Sequence, residues 1–466
     1  MLILGVIAPF AIALAIALPK WLYLAGIAAF AALFRGFSVL ATPVYLVAAV
    51  VLTLFRTKRP AVPLRSTRMF VTTSVVAGLL CFMSIAWSVR GDSAIEAGLT
   101  WLALPLLTLF VVNMLLDDGL PSLGKFLAAL APVAVVQALS TVVFRFAPAV
   151  EESYYRSSLS TLFIGRLGQD LYTTDAVNNV LNPDRAGGFL FVNLNRASMA
   201  MGVMLVAFVA YGYLARKRWV WLAVAPLAAA IVLGGSKTGL ALLVLLPLFS
   251  LILAVAARSG NPAARMGVVV GGLVIAVVGV QVFFATADDY VNASEATLLP
   301  RLQLWGEAIR AIGENLLLGL GFGGWYERWE SGGVAIAFSM RPAHNWFLQA
   351  WLDAGIAYVA ISIVFVVVIL IMQLRAVNDA RSGHAKFAMA MSGSGFLWVA
   401  IHGLGDNSAL YGEPPALAFL AVLAALMLTA GRFDSEKRPT LNSRDYATAG
   451  SHRRVHSARS ESTRSN

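Results

Sequence analysis

Cysteine is almost absent from this sequence, and charge is scarce. Cys81 is the single thiol in 466 residues, so no disulfide can form within the chain and cysteine usage says nothing about redox compartment. Only 13% of the residues are charged, against about 25% in soluble domains. With 59% hydrophobic residues and a mean hydropathy of +0.77, a soluble globular domain is excluded. Acids are the scarcer sign: 24 Asp and Glu against 35 Lys and Arg leave a formal charge of +11. That excess does not point to nucleic acid, because the basic residues collect in short links between apolar runs and in the tail. This is the positive-inside pattern of a membrane protein, which needs no polyanion. A basic n-region is also lacking at the start, so the first 18 residues read as a membrane helix and not as a cleaved signal peptide.

Hydropathy predicts an all-α polytopic membrane protein with about 12 transmembrane helices. Spans fall near 69–89, 97–116, 126–147, 188–214, 219–233, 238–257, 266–286, 345–372, 387–403 and 414–430. Residues 2–55 would make about 81 Å of helix, enough for two comfortable spans or three tight ones across roughly 30 Å. The orientation of the N-terminus stays open with that choice. Links holding Arg56 to Arg68, Arg216-Lys217-Arg218, Arg258 with Arg265, and Arg375 to Lys386 are basic and therefore cytoplasmic. Two long loops are acidic and therefore outer. Residues 148–187 carry five acids and three basic residues; residues 287–344 carry seven acids and four basic residues. Residues 1–430 form the helical bundle. Residues 431–466, with eight Lys/Arg and ten Ser/Thr, are a disordered basic cytoplasmic tail that can brush anionic lipid.

The second outer loop is the longest stretch that cannot sit in lipid. Its segment Arg301–Ile312 is amphipathic at helical spacing. Leu302, Trp305, Ile309 and Ile312 are expected on one stripe, with Gln303, Glu307, Arg310 and Glu314 opposite. A helix lying flat on a bilayer has this pattern.

Three hydrogen-bonding or cationic clusters fall on the outer side: Arg185 with Asn193, Asn195 and Arg196; Ser236-Lys237-Thr238; and Arg301 with Arg341, His344 and Asn345. Orientation does not explain cations on an otherwise acidic face, and charge at helix ends is costly unless paired or used. A pyrophosphate would use it, since cations and helix N-terminal amides stabilise a departing phosphate. Each residue also has a structural reading. His344 or Asn345 could cap the helix that follows, Lys237 could extend to the interface, and Arg196 could pair with an acid such as Asp184. Trp325, Trp329, Trp346 and Trp351 fit an interfacial aromatic belt. The glycines of Gly319-Leu320-Gly321-Phe322-Gly323-Gly324 follow no strand, so they predict a tight turn rather than a nucleotide loop. Ionisable residues are scarce within the spans and no internal repeat is apparent, which argues against an ion-coupled carrier.

The ordered set Gly187-Gly188-Phe189, Asn193, Asn195, Ser236-Lys237-Thr238-Gly239, Arg301-x3-Trp305-x3-Ile309, Leu318-Gly319-Leu320-Gly321, His344-Asn345-Trp346-Phe347-Leu348-Gln349 and Asp353-x-Gly355 resembles the O-antigen ligase and polymerase superfamily, which includes exopolysaccharide polymerases. The resemblance covers about residues 185–360. It implies an inverting, metal-independent glycosyltransferase of the bacterial inner membrane that needs no cofactor. Such an enzyme moves a glycan from undecaprenyl diphosphate to a glycan or lipid acceptor hydroxyl on the periplasmic side. Carried onto matching positions, His344 is the catalytic residue, and Arg301 and Lys237, with Arg196, bind the diphosphate. Asn345, Asn195, Ser236, Arg341 and Arg185 would position donor or acceptor. Family members often carry arginine where this chain has Lys237, which keeps the charge but not the two-pronged phosphate grip. The alternatives are a lipid-linked saccharide flippase, or an oligosaccharyltransferase of the same superfamily with a protein acceptor.

Overall fold

The helix α13, Pro414–Leu428, is apolar on every side, and each residue from Pro415 to Leu428 is buried. A helix without a polar face belongs inside a bundle, and the others assemble around it. In a computed structural model the chain is described at residues 17–33, 46, 48–51, 64–164, 186–259, 261, 263–264, 266–268, 270–272, 288–332, 342–406 and 408–432. The described residues contain helices and no strand. In chain order the remaining helices are α1 Lys20–Leu33, α2 Leu64–Ser84, α3 Gly91–Phe146, α4 Pro148–Arg156, α5 Ser158–Ile164, α6 Leu194–Ala215, α7 Trp221–Leu233, α8 Lys237–Ala256, α9 Asp288–Glu314, α10 Gly324–Glu330, α11 Trp346–Asp379 and α12 Gly383–His402.

Five helices among the described residues are long and apolar enough to cross a membrane: Arg65–Trp87, Gly91–Phe146, Leu194–Ala215, Lys237–Ala256 and Trp346–Asp379. The protein is therefore an all-α membrane protein. The 56 residues of α3 would reach about 84 Å as one rod, but the helix breaks at Gly119, whose φ of 70° interrupts the regular turn. The break falls in the Asp117-Asp118-Gly119 link expected from the sequence, and Asp117 there is ion-paired with Lys20 at the start of α1. Around α13, α3 and α6 supply long faces, and α12 packs between α6, α8 and α11. Small residues make that closeness possible: a side chain on Gly202 of α6 would collide with the indole of Trp398 on α12.

Most of the expected span near 266–286, the tail from 433 and most of residues 1–55 lie outside the described residues, as do Asp184, Arg185 and Arg341.

Helix α9 requires a correction. The segment is helical, and longer than expected, but its buried face is Leu304, Ala308, Ala311 and Ile312 with Glu307, packed on Trp325, Leu348 and Leu352. Leu302 and Ile309 are instead 49% and 59% exposed. The apolar arc is wider than one stripe. Its one half docks on the protein, and the half holding Leu302 and Ile309 looks outward. Glu307, expected opposite the apolar stripe, is buried and paired with Arg310 at 3.1 Å.

The glycine run after α9 winds as expected. Gly319, Gly321 and Gly323 all have positive φ, from 69° to 84°, which only glycine adopts without strain. The turn is fastened on both sides. Leu320 N–H donates to Leu352 O at 2.6 Å, Phe322 N–H to Ser88 Oγ at 2.9 Å, and Trp87 Nε1–H to Leu318 O at 2.9 Å. It thus ties α9 to α11 and to the link between α2 and α3.

Candidate functional site

Five helix ends meet at one end of the bundle: the starts of α6, α8, α11 and α13 and the finish of α12. Three of the starts carry side-chain caps, which satisfy amides that would otherwise be orphaned. Asn193 Oδ1 accepts from the amides of Asn195 and Arg196, Ser236 Oγ from that of Gly239, and Asn345 Oδ1 from those of Phe347 and Leu348. Asn345 is therefore the cap of α11, and His344 is the residue before it.

His344 is held in an unusual backbone. Its φ of 49° is left-handed, which is uncommon outside glycine and costs free energy unless the surroundings enforce it. The enforcement is visible. Trp305 Nε1–H of α9 donates to Ala343 O at 2.9 Å, and Ala343 N–H donates to Gln349 Oε1 at 3.1 Å. Asn345 Nδ2–H donates to Leu404 O at 3.1 Å, and Trp346 N–H to Gly403 O at 2.8 Å. The His344 segment is thereby sewn to α9 on one side and to the loop after α12 on the other.

That loop, residues 403–413, supplies what the sequence reading did not single out. Asp406, almost wholly buried, brings Oδ1 to 3.6 Å from His344 Nδ1. At that distance the pair is an electrostatic contact and not a hydrogen bond, and neither Nδ1 nor Nε2 has a hydrogen-bond partner among the described residues. A carboxylate beside one ring nitrogen restricts how the ring can turn, leaving the other nitrogen to face the mouth of the site. His402, 1% exposed at the end of α12, lies within electrostatic reach of both Asp406 and Arg301. Neither of its ring nitrogens has a hydrogen-bond partner among the described residues, a condition that in native interiors signals water, ligand or function. Arg301 stands on the docked side of α9, and its guanidinium lies 3.5 Å from where a side chain on Gly405 would begin. A larger residue at 405 would therefore press on that cation.

Arg196 has its charge met by Glu413. Its Nε and Nη2 donate to the two oxygens of Glu413 at 2.6 and 2.8 Å, a bidentate fork between the first turn of α6 and the cap position of α13. Glu413 is 3% exposed and the Arg196 side chain 37%, so the cation keeps an open edge. Beside it, Asn195 Oδ1 accepts from Ser236 Oγ at 3.3 Å, bringing the start of α8 and the half-buried Lys237 to the same end. A chain of contacts so links Ser236, Asn195, Arg196 and Glu413, and one loop carries both Glu413 and Asp406. Of the sequence-predicted residues, His344 and Arg301 meet at the 403–406 turn, Arg196, Asn195 and Ser236 meet at Glu413, and Asn345 serves as cap.

The rim is tied down as well. Gln137 of α3 donates to Gly187 O at 2.8 Å and accepts from Leu190 N–H at 2.9 Å, fixing the Gly187-Gly188-Phe189 strip ahead of α6. Tyr154 of α4 donates to Phe189 O at 2.5 Å. Burial pushes Glu151 in the same helix up to about 7. On the other side, Arg90 sits 5.7 Å from the ring centre of Tyr326, whose phenol burial pushes up to about 12, so it stays a neutral donor. The Arg328 guanidinium grips Glu314 in a second bidentate pair and holds that carboxyl below the usual range.

A bundle of apolar helices with an imidazole–carboxylate pair and arginines at one mouth defines a multi-pass membrane protein with a polar site at the ends of its helices. Residues 222–361 match the family model described as O-antigen ligase. The matched stretch holds Ser236, Lys237, Arg301, His344 and Asn345; Arg196, His402, Asp406 and Glu413 lie beyond it. A comparison with curated proteins gives no match.

Proposed function

We propose that the protein is an inverting glycosyltransferase that moves a glycan from undecaprenyl diphosphate to an acceptor hydroxyl on the periplasmic side of the bacterial inner membrane. About twelve crossings and a cytoplasmic C-terminus complete this reading, on the strength of the alternating loop charges. The observation that carries it is the approach of the buried Asp406 carboxylate to 3.6 Å from His344 Nδ1, in the loop that Arg301 abuts. The family match supports it.

In this mechanism the acceptor oxygen attacks the anomeric carbon from the face opposite the phosphate. The carbon–oxygen bond to the diphosphate breaks, and undecaprenyl diphosphate leaves with the electron pair. The acceptor proton passes to Nε2 of His344, and Asp406 steadies the resulting imidazolium. Arg301, Lys237 and the open edge of Arg196 offset the charge on the leaving diphosphate. Asn195, Ser236 and Asn345 act by holding helix ends in register, and Arg185 and Arg341 are proposed to meet donor or acceptor. Leu302 and Ile309, looking outward from α9, would meet lipid where the donor's chain enters.

Purified protein supplied with undecaprenyl-diphosphate glycan and candidate acceptors tests the reading. Product on lipid A–core identifies a ligase, and longer lipid-linked chains identify a polymerase. Full transfer by the His344→Ala variant would remove the imidazole from the mechanism. Accumulation of lipid-linked glycan on the cytoplasmic leaflet, with transfer intact in vitro, would favour a flippase.

A further inference from the structure

Four-residue spacing lines up three polar side chains at the end of α12: Trp398, His402 and Asp406. Positions four apart are neighbours on one helix face. The winding continues past His402, since Gly403 N–H donates to Val399 O at 2.9 Å and Gly405 N–H to His402 O at 3.2 Å. Helical side chains lean back toward the start of their helix, which carries the His402 ring toward the turn of Trp398. All three are sealed from solvent, Trp398 and His402 at 1% exposure and Asp406 at 2%.

Neither the indole N–H of Trp398 nor either ring nitrogen of His402 has a hydrogen-bond partner among the described residues. The indole lies against α6, where a side chain on Gly202 would begin 2.4 Å from Nε1, and the carbonyls of that helix are spent on its own turns. Sealed polar atoms left unbonded are costly, and a residue that only filled this space would serve better as leucine or phenylalanine. The charged groups within electrostatic reach of His402 are Asp406 and Arg301. A guanidinium only donates, so the carboxylate is the one of the two that can take an imidazole N–H. Carboxylates accept at both oxygens; with Oδ1 3.6 Å from His344 Nδ1, Asp406 can face two imidazoles at once. We propose that His402 is a positioning residue for the transfer reaction, on which this assignment rests: in the active protein one ring nitrogen accepts from Trp398 Nε1–H, and the other donates to the Asp406 carboxylate and aims it at His344. The relay ties the 403–413 loop to the packed contact between α6 and α12.

Magic-angle-spinning NMR of the full chain, carrying isotope-labelled histidine in lipid bilayers, tests the pairing without reference to activity. The chain has five histidines, and the signal missing from His402→Gln belongs to residue 402. Its ring N–H should exchange slowly and should shift in both Asp406→Asn and Trp398→Phe. An N–H that exchanges fast, or that either substitution leaves in place, would overturn the pairing. Steady-state transfer tests the role. His402→Phe should lower kcat about tenfold, the loss of one hydrogen bond to a charged group, with KM unchanged. His402→Gln, whose amide can both donate and accept, should recover most of that loss. In an Asp406→Asn background His402→Phe should cost nothing more, because its effect runs through that carboxylate. A further tenfold fall there, or a loss confined to KM, would overturn the positioning role. Should His402→Phe not fold, Trp398→Phe removes only the first donor; it should lower kcat by a smaller factor, and an unchanged kcat would count against the relay. A wild type that transfers no glycan would sink the proposed function and the positioning role with it, while the NMR signal still decides the pairing.

Discussion

The two ends of the bundle treat positive charge differently. At the His344 end, arginine is matched to carboxylate: Arg196 with Glu413, 217 residues away, and Arg328 with Glu314. At the other end Arg65 and Arg375 line a cavity at the ends of α2, α11 and α13, and Asp379, the acid among its lining residues, pairs with neither. Acidic loops can build fixed, directional pairs; basic links cannot, because they lack the partners. The difference teaches that net charge per loop predicts orientation, whereas chemistry depends on which few acids reach which few cations.

Breaking the matched end should have the largest effect. His344→Ala should abolish transfer, a fall of about 10²–10⁴-fold for a lost general base, with the protein still present in the membrane; a glycan gel beside an immunoblot reads both. Asp406→Asn should lower the rate by about a hundredfold or more, since an imidazole that loses its carboxylate loses its orientation. Steady-state kinetics should place that loss in kcat rather than KM. Glu413→Gln should destabilise the fold by about 2–3 kcal/mol, less than a fully buried pair because Arg196 is 37% exposed. Removing both partners as Arg196→Met with Glu413→Leu should cost less than the single change, and thermal unfolding in detergent compares them.

Two smaller effects sharpen the comparison. Burial raises Glu151 from an ordinary 4.5 to about 7. A carboxyl whose folded value lies above its unfolded one stabilises the fold fully below about 4.5 and loses that contribution as pH rises through about 7. Hydrogen exchange in α4, corrected for intrinsic rate, should therefore slow between pH 8 and pH 5 in wild type and stay flat in Glu151→Gln. The weakest effect is on α9. A spin label at Ile309→Cys should meet oxygen more readily than a polar relaxant, and one at Gln303→Cys the reverse; Cys81 is buried and will not compete.

Much of the scaffold could be read from hydropathy, because long apolar runs leave a chain few options. The expected spans near 238–257 and 414–430 fall within two residues of α8 and α13. His344, Arg301, Lys237 and Arg196 were recognisable as cations or an imidazole without an orienting reason to be there. Their partners were not. Glu413 lies 217 residues from Arg196, and Asp406 is far downstream of His344, so no local spacing joins them. A usable signal existed: the short link 404–413 holds two acids and no cation, just after a histidine at an expected span end. The face of α9 was only half predicted, because periodicity locates an apolar arc but not which part of it another helix covers.

Helix α13 has a consequence of its own. Glu413 stands at one tip, and Met427 and Leu428 border the arginine cavity near the other. Enclosed by protein at every turn, the helix cannot slide to suit the bilayer, so its fifteen residues work as a ruler between the two ends. Adding one alanine to it would turn the Glu413 carboxylate by about 100° and shift it about 1.5 Å relative to Leu428, pulling Glu413 off Arg196.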